Sequence, residues 1–189
     1  DPEGRHLLYR QEDLNAALDF ECGVDEPIDF EVDHQAVINR SSTNPGNCVL
    51  MYVEVDNDIT VDKGGVANTT DYITGLFNQI SLMYFNEAIN LNIHQLVVWD
   101  QTDPYTGPST SNYLSQFRTA TGLDFNGDLA HLVGYQGGGG IASLDVLCST
   151  FYSKHGYSGI NPNYNDIPVY SWSVEVVTHE IGHNLGSRH

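Results

Sequence analysis

The sequence predicts an α/β domain: a twisted, mostly parallel sheet with an antiparallel edge strand, a long backing helix and a helix at the C-terminal end. Three observations predict it. Short β-branched and apolar runs alternate with segments of helical period, the order expected of right-handed strand-helix-strand crossovers. One helical segment is about twice the usual helix length. The last strand-like run follows four glycines at 137–140, a lead-in that suits a bulge or the close approach of another backbone.

Taken in order, Cys48-Val49-Leu50-Met51-Tyr52-Val53-Glu54-Val55 reads as a buried strand. Residues 68–89 place Tyr72, Ile73, Leu76, Phe77, Ile80, Met83 and Tyr84 at helical spacing, with Asn68, Thr69 or Thr70 as the cap. Residues 93–99 give a second strand, 111–121 a shorter helix ended by Gly122, and 129–135 a third strand. Residues 141–144 form a brief fourth strand, expected at a sheet edge. Residues 145–171 show no period and contain Gly156, Gly159, Pro162 and Pro168, so they read as a long loop. Ser173 is then expected to cap a helix with Val174, Val177, Ile181 and Leu185 on one face. Residues 1–45 are polar and end in Asn44-Pro45, which makes them an N-terminal extension with a linker, and 46–189 the folded domain.

Composition narrows the function. With 25 acidic against 7 basic residues the net charge is −18, so the surface repels a phosphate backbone and nucleic acid is not an expected partner. No run approaches the roughly 18–20 apolar residues of a membrane span, and no signal segment opens the chain. The start at Asp1-Pro2 and the end on His189 suggest a fragment at both ends, with a signal peptide upstream in the parent. Cys22, Cys48 and Cys148 form neither a dense disulfide framework nor a zinc knuckle. Asn39-Arg40-Ser41 and Asn68-Thr69-Thr70 fit the glycosylation acceptor pattern.

The chemistry lies on the last helix. His179 and His183 are four residues apart, so both imidazoles leave one face and can reach one metal ion. Glu180 emerges about 100° round the helix, placed as a base rather than as a ligand. Gly186 can end the helix in the left-handed conformation, which lets His189 turn back as a third ligand. Zinc suits three imidazoles and an open position for water, whose proton Glu180 would take and later pass to a leaving amine. Five fixed positions match by chance roughly once in 10⁷ to 10⁸ starting points, too rarely for an accident to be the working reading. Other histidines, His34, His94, His131 and His155, have no partner at ligand spacing and read as surface or hydrogen-bonded residues. Tyr157, Tyr164 and Tyr170 read as packing residues, with a pocket wall as the alternative. Asp56, Asp58 and Asp62 alternate as calcium ligands do, without the glycine and glutamate of an EF-hand loop.

The run His179-Glu180-Ile181-Gly182-His183-Asn184-Leu185-Gly186-Ser187-Arg188-His189 resembles the His-Glu-x-x-His-x-x-Gly-x-x-His signature of metzincins. Residues 128–133, 140–142 and 147–149 are similar to the third strand, edge strand and following cysteine of the adamalysin (reprolysin) branch. The resemblance implies a metzincin-like N-terminal subdomain and a secreted zinc endopeptidase acting on protein or peptide substrates, ending before that clan's methionine turn. It implies that Gly140, Ile141 and Ala142 bind the substrate as an added antiparallel strand. It implies a disulfide from Cys148 to a cysteine beyond the active site, and places Asp128 near a calcium site, so Ca2+ is a further candidate cofactor. Cys22-Gly23-Val24 resembles the core of the cysteine switch in the pro-segments of that clan. Residues 1–45 would then be a pro-segment remnant, with a disulfide to Cys48 or an idle thiol as alternatives for Cys22. A domain retained for binding, or held latent, is the alternative to an active protease.

Overall fold

The computed structural model describes the backbone of residues 21–25 and residues 48–150, 153–162 and 172–189. In chain order the elements are β1 (Glu21–Asp25), β2 (Cys48–Val55), α1 (Asn57–Lys63), α2 (Val66–Asn86), β3 (Asn90–Val98), α3 (Thr110–Thr121), β4 (Leu129–Gly134), β5 (Gly139–Ser143), β6 (His155–Gly159) and α4 (Trp172–Asn184). The strands form one sheet in the order β1-β5-β6-β4-β2-β3. Among the described residues only the β5–β6 pair is antiparallel. The expected α/β architecture is therefore present, with β5 running against its neighbour and β1 covering its other side.

Alternation along the strands divides the core between the two faces of the sheet. Met51, Val53 and Val55 of β2 join Leu129 and Val133 of β4 in a cluster with Ile73, Leu76, Phe77 and Ile80 of α2 and Val174, Val177 and Ile181 of α4. On the opposite face Tyr52, Ala130, Leu132 and Tyr157 pack with Tyr113, Leu114 and Phe117 of α3. Burying each large aliphatic side chain stabilises the fold by about 1.5–3 kcal/mol, so the α2 stripe is a main anchor of the sheet. Glu54, almost fully buried, is satisfied by the hydroxyls of Tyr52 and Tyr105, each at 2.5 Å, and by the indole N–H of Trp99 at 3.0 Å.

The structure departs from the expected elements in three places. Residues 57–63, for which the sequence offered no helix, form α1: the Asp56 carboxylate accepts from the Asp58 N–H at 2.7 Å and Gly64 closes the helix at φ 79°. Both are ordinary capping devices, which the calcium-like spacing of the aspartates obscured. Within the expected loop 145–171 lies β6, whose five residues are all buried; its sequence His-Gly-Tyr-Ser-Gly carries too few β-branched residues to read as a strand. At Gly156 a Cβ would stand 2.8 Å from His131 Nδ1, so this glycine admits a neighbouring side chain rather than making a turn.

The third departure concerns caps. The long helix starts at Val66 behind Gly65, with no side-chain cap. The last helix starts at Trp172, two residues early, and the Ser173 hydroxyl instead donates to Asn161 O at 3.0 Å and accepts from its N–H at 3.1 Å. The linker ending at 45, His34, Asn39, Tyr164 and Tyr170 lie outside the described residues. Among those described, no helix is long and apolar enough to cross a membrane.

Candidate active site

α4 is held on four sides before any ligand is considered. Its apolar face carries Val174, Val177 and Ile181, all buried. The Tyr84 hydroxyl of α2 donates to Thr178 O at 2.6 Å. Next to the second histidine, Asn184 Nδ2 donates to Ser143 O of β5 at 2.8 Å and to His155 O of β6 at 3.3 Å. The end of the helix is closed by neighbouring backbone, with Asp145 N–H donating to His183 O at 2.9 Å and Val146 N–H to Asn184 O at 3.0 Å. These bonds satisfy carbonyls that a helix terminus leaves open.

Gly186 turns the chain as its position predicts. Its φ is 101°, and Gly186 N–H donates to His183 O while Ser187 N–H donates to Gly182 O, both at 2.9 Å. This is the Schellman pattern. It brings His189 back over the helix: His189 Nε2 lies 3.3 Å from His179 Nε2, and His183 Nε2 lies 2.9 Å from the same atom. A tetrahedral ion with nitrogens at about 2.0–2.1 Å requires nitrogens about 3.3–3.4 Å apart; the His179–His189 pair has that spacing, the His179–His183 pair is a few tenths of an ångström closer, and candidate ligand atoms of all three rings lie within 4.8 Å of one another. Among the described residues these three are the group of histidines, cysteines and carboxylates able to hold a metal ion.

The protonation states suit a ligand set. His183 Nδ1 is 2.8 Å from Ser187 O; donating its proton there leaves the Nε2 lone pair facing the other rings. Burial, with the neighbouring imidazoles His183 and His189 adding to it, holds His179 below the ordinary histidine value. Burial likewise lowers His183, against the opposing bond to Ser187. Glu180 is fully buried and packs against β5 at Gly140. Three imidazoles beside one enclosed carboxylate can hold a borderline-soft divalent cation and move a proton next to it.

The remaining candidates, apart from Gly140 against Glu180, are dispersed. Gly140 and Ala142 lie on the face of β5 toward α4, and Ile141 packs on the opposite face. Gly140 and Ala142 pair with Ser158 and Gly156 of β6 on one side and with Cys22 and Val24 of β1 on the other. Asp56 is a buried helix cap and Asp62 pairs with Lys63 at 2.9 Å, and among the described residues these aspartates are not in the group able to hold a metal ion. Asp128 accepts from Leu50 N–H at 2.9 Å, closing β2 against β4. Cys48 and Cys148 are free thiols. Tyr157 is packing, fully buried and stacked on Tyr113 at 4.9 Å. His94 is 3.1 Å from Asn126 Oδ1. Sequence reasoning missed Tyr84, Asn184 and the Asp145–Val146 backbone, which join the site only through long-range contacts; the asparagine directly after the second ligand was the one local signal.

His131 and His155 stand behind the site, both fully buried. His131 shares a 2.9 Å hydrogen bond with Ser158 Oγ, and His155 bonds Thr121 Oγ1 and Ser153 Oγ, each at 2.7 Å. Burial lowers His131 to about 3, and burial with the nearby Arg118 charge lowers His155 to about 4. Both are neutral in the fold and take up protons on unfolding, so their stabilisation is full above pH ~6.5 and declines as the pH falls towards their folded values. Asp56, raised by burial to about 7, acts in the opposite sense: its contribution is full in acid and lost as the pH rises through about 7. Two histidines outweigh one carboxyl, and the net loss between pH 6.5 and 5 is on the order of 2 kcal/mol. The urea midpoint is expected to be lower at pH 5 than at pH 7.5, and in His131→Gln, where one histidine is set against one carboxyl, the drop is expected to vanish or reverse. A wild-type midpoint that rises towards pH 5 would contradict this balance.

Residues 44–189 match a reprolysin family model described as metallo-peptidase family M12. The match takes in every element from β2 to α4.

Proposed function

The chain belongs to metallo-peptidase family M12, and from that premise we propose that it is a zinc-dependent endopeptidase in which His179, His183 and His189 hold the ion and Glu180 is the general base. The observation that carries this reading is the convergence of three imidazole nitrogens on the helix turn that also carries a fully buried carboxylate. Zinc bound there supplies Lewis acidity, which lowers the pKa of a water towards about 7 and polarises the peptide carbonyl. Glu180 accepts the proton of the attacking water and delivers it to the amine as the C–N bond breaks. Charge and proton balance through that one carboxylate.

Substrate peptide is proposed to run along β5, antiparallel to Gly140, Ile141 and Ala142, held by main-chain hydrogen bonds. That edge carries β1 in the parallel sense, with Cys22 in register with Gly140. We therefore take this form as latent: β1 occupies the substrate edge with its polarity reversed, and the Cys22 thiolate is the candidate for the fourth position on zinc. A disulfide from Cys22 to Cys48 does not compete with this reading. Cys48 is a free thiol, and β2 lies four strand spacings from β1, about 19 Å at ~4.8 Å each, far beyond disulfide reach.

Thiol labelling separates a switch from an idle thiol. Cys22 is expected to resist labelling in the zinc-loaded chain and to react after chelation, while Cys148 reacts in both states; equal labelling of Cys22 throughout would remove the switch. The protease reading has its own test in Cys22→Ser, where chelation is expected to stop cleavage of an unstructured protein and zinc to restore it. Cleavage that survives zinc removal would refute it. The place of action is proposed to be extracellular, where the acceptor pattern at Asn68 would be glycosylated.

A further inference from the structure

Gly140 does more than offer main-chain hydrogen bonds to a substrate. Its φ lies outside the left-handed region, so the backbone does not call for glycine at this position. What calls for it is the side chain opposite: a Cβ at residue 140 would overlap Cγ and Oε1 of Glu180 and stand 2.5 Å from Cδ. Two residues on, Ala142 carries a methyl group that is fully buried. The layer between β5 and α4 thus accepts a side chain at 142 and excludes one at 140.

Glu180 has little room to yield. Its Cγ position is set by a single torsion, and helical backbone restricts that torsion to two rotamers. The helix cannot retreat either, because Asp145, Val146, Asn184 and Tyr84 tie it to β5, β6 and α2. We infer that Gly140 is a positioning residue: by lacking a side chain it lets the Glu180 carboxylate lie against the strand along which substrate would bind. The inference rests on the proposed role of Glu180 as base. Its physical core, the 140–180 contact, is independent of zinc.

A double-mutant cycle of Gly140→Ala and Glu180→Ala tests it with two readouts. In the metal-free chain, Gly140→Ala is expected to lower the melting temperature by about 3–10 °C, the usual effect of overpacking. At least half of that loss should vanish when Glu180 is already alanine. In the zinc-loaded Cys22→Ser background, Gly140→Ala is expected to lower kcat on the order of 10²-fold, as a displaced catalytic group does, with KM within about twofold; the double variant should be no slower than Glu180→Ala alone. Equal melting losses in both backgrounds, or a fall in kcat/KM carried by KM, would overturn the inference. Should Gly140→Ala fail to fold, recovery of folding in the double variant supports it and failure of both overturns it. Wild-type turnover by Glu180→Ala would refute the general base, while the melting cycle would still read the contact.

Discussion

In the Cys22→Ser background, Glu180→Ala is expected to lower kcat by about 10²–10⁴-fold, the range that general acid–base catalysis contributes, while the chain still binds one zinc. The reasoning is a separation of tasks. Glu180 is absent from the convergent set of His179, His183 and His189, so its removal leaves the ligands and their spacing in place. What disappears is the group that accepts the water proton and returns it to the amine. KM should change little, because the proposed substrate contacts are main-chain hydrogen bonds along β5. Truncation also removes a carboxylate from a fully buried position, so the fold should not suffer in proportion to the volume lost. Turnover and zinc content measured on the same preparation give the answer, with wild-type kcat in Glu180→Ala as the refuting outcome.

His183→Ala should remove metal and activity together. His183 stands between the other two rings, 4.5 Å from His179 and 4.8 Å from His189 between centroids, and it is almost completely buried. Its Nδ1 contact with Ser187 O orients both the ring and the turn that returns His189. One substitution therefore takes away a ligand and loosens a second. Zinc affinity should fall by more than the roughly 10–100-fold that loss of a supporting partner alone costs. Competition with a chromophoric chelator measures this directly. Stoichiometric, tight zinc in His183→Ala would place the ion elsewhere.

The convergence of His179, His183 and His189, the place of Glu180 beside them and the glycine turn were legible because all three depend on local geometry: helix periodicity and the left-handed freedom of Gly186 are encoded within eleven consecutive residues. The strands from 48 and 129 and the long helix were legible for the same reason, as each carries its own period. What supports the site was not. Tyr84 reaches Thr178 across 94 residues, and Asn184 reaches Ser143 across 41, distances at which sequence pattern carries no signal. β6 escaped notice because its glycines, which normally mark loops, instead make room for His131 and for backbone. α1 was hidden by a chemical coincidence, since capping aspartates and calcium-binding aspartates share their spacing. Gly140 was recognised for its strand and not for the carboxylate it accommodates, a role visible only once β5 and α4 are packed together.

Zinc K-edge absorption of the loaded Cys22→Ser chain tests the ligand set most directly. The account predicts three imidazole nitrogens at about 2.0–2.1 Å with a light oxygen neighbour, and the loss of imidazole scattering together with zinc in His183→Ala. A sulfur neighbour at about 2.3 Å, drawn from Cys48 or Cys148, or fewer than three imidazoles, would contradict it.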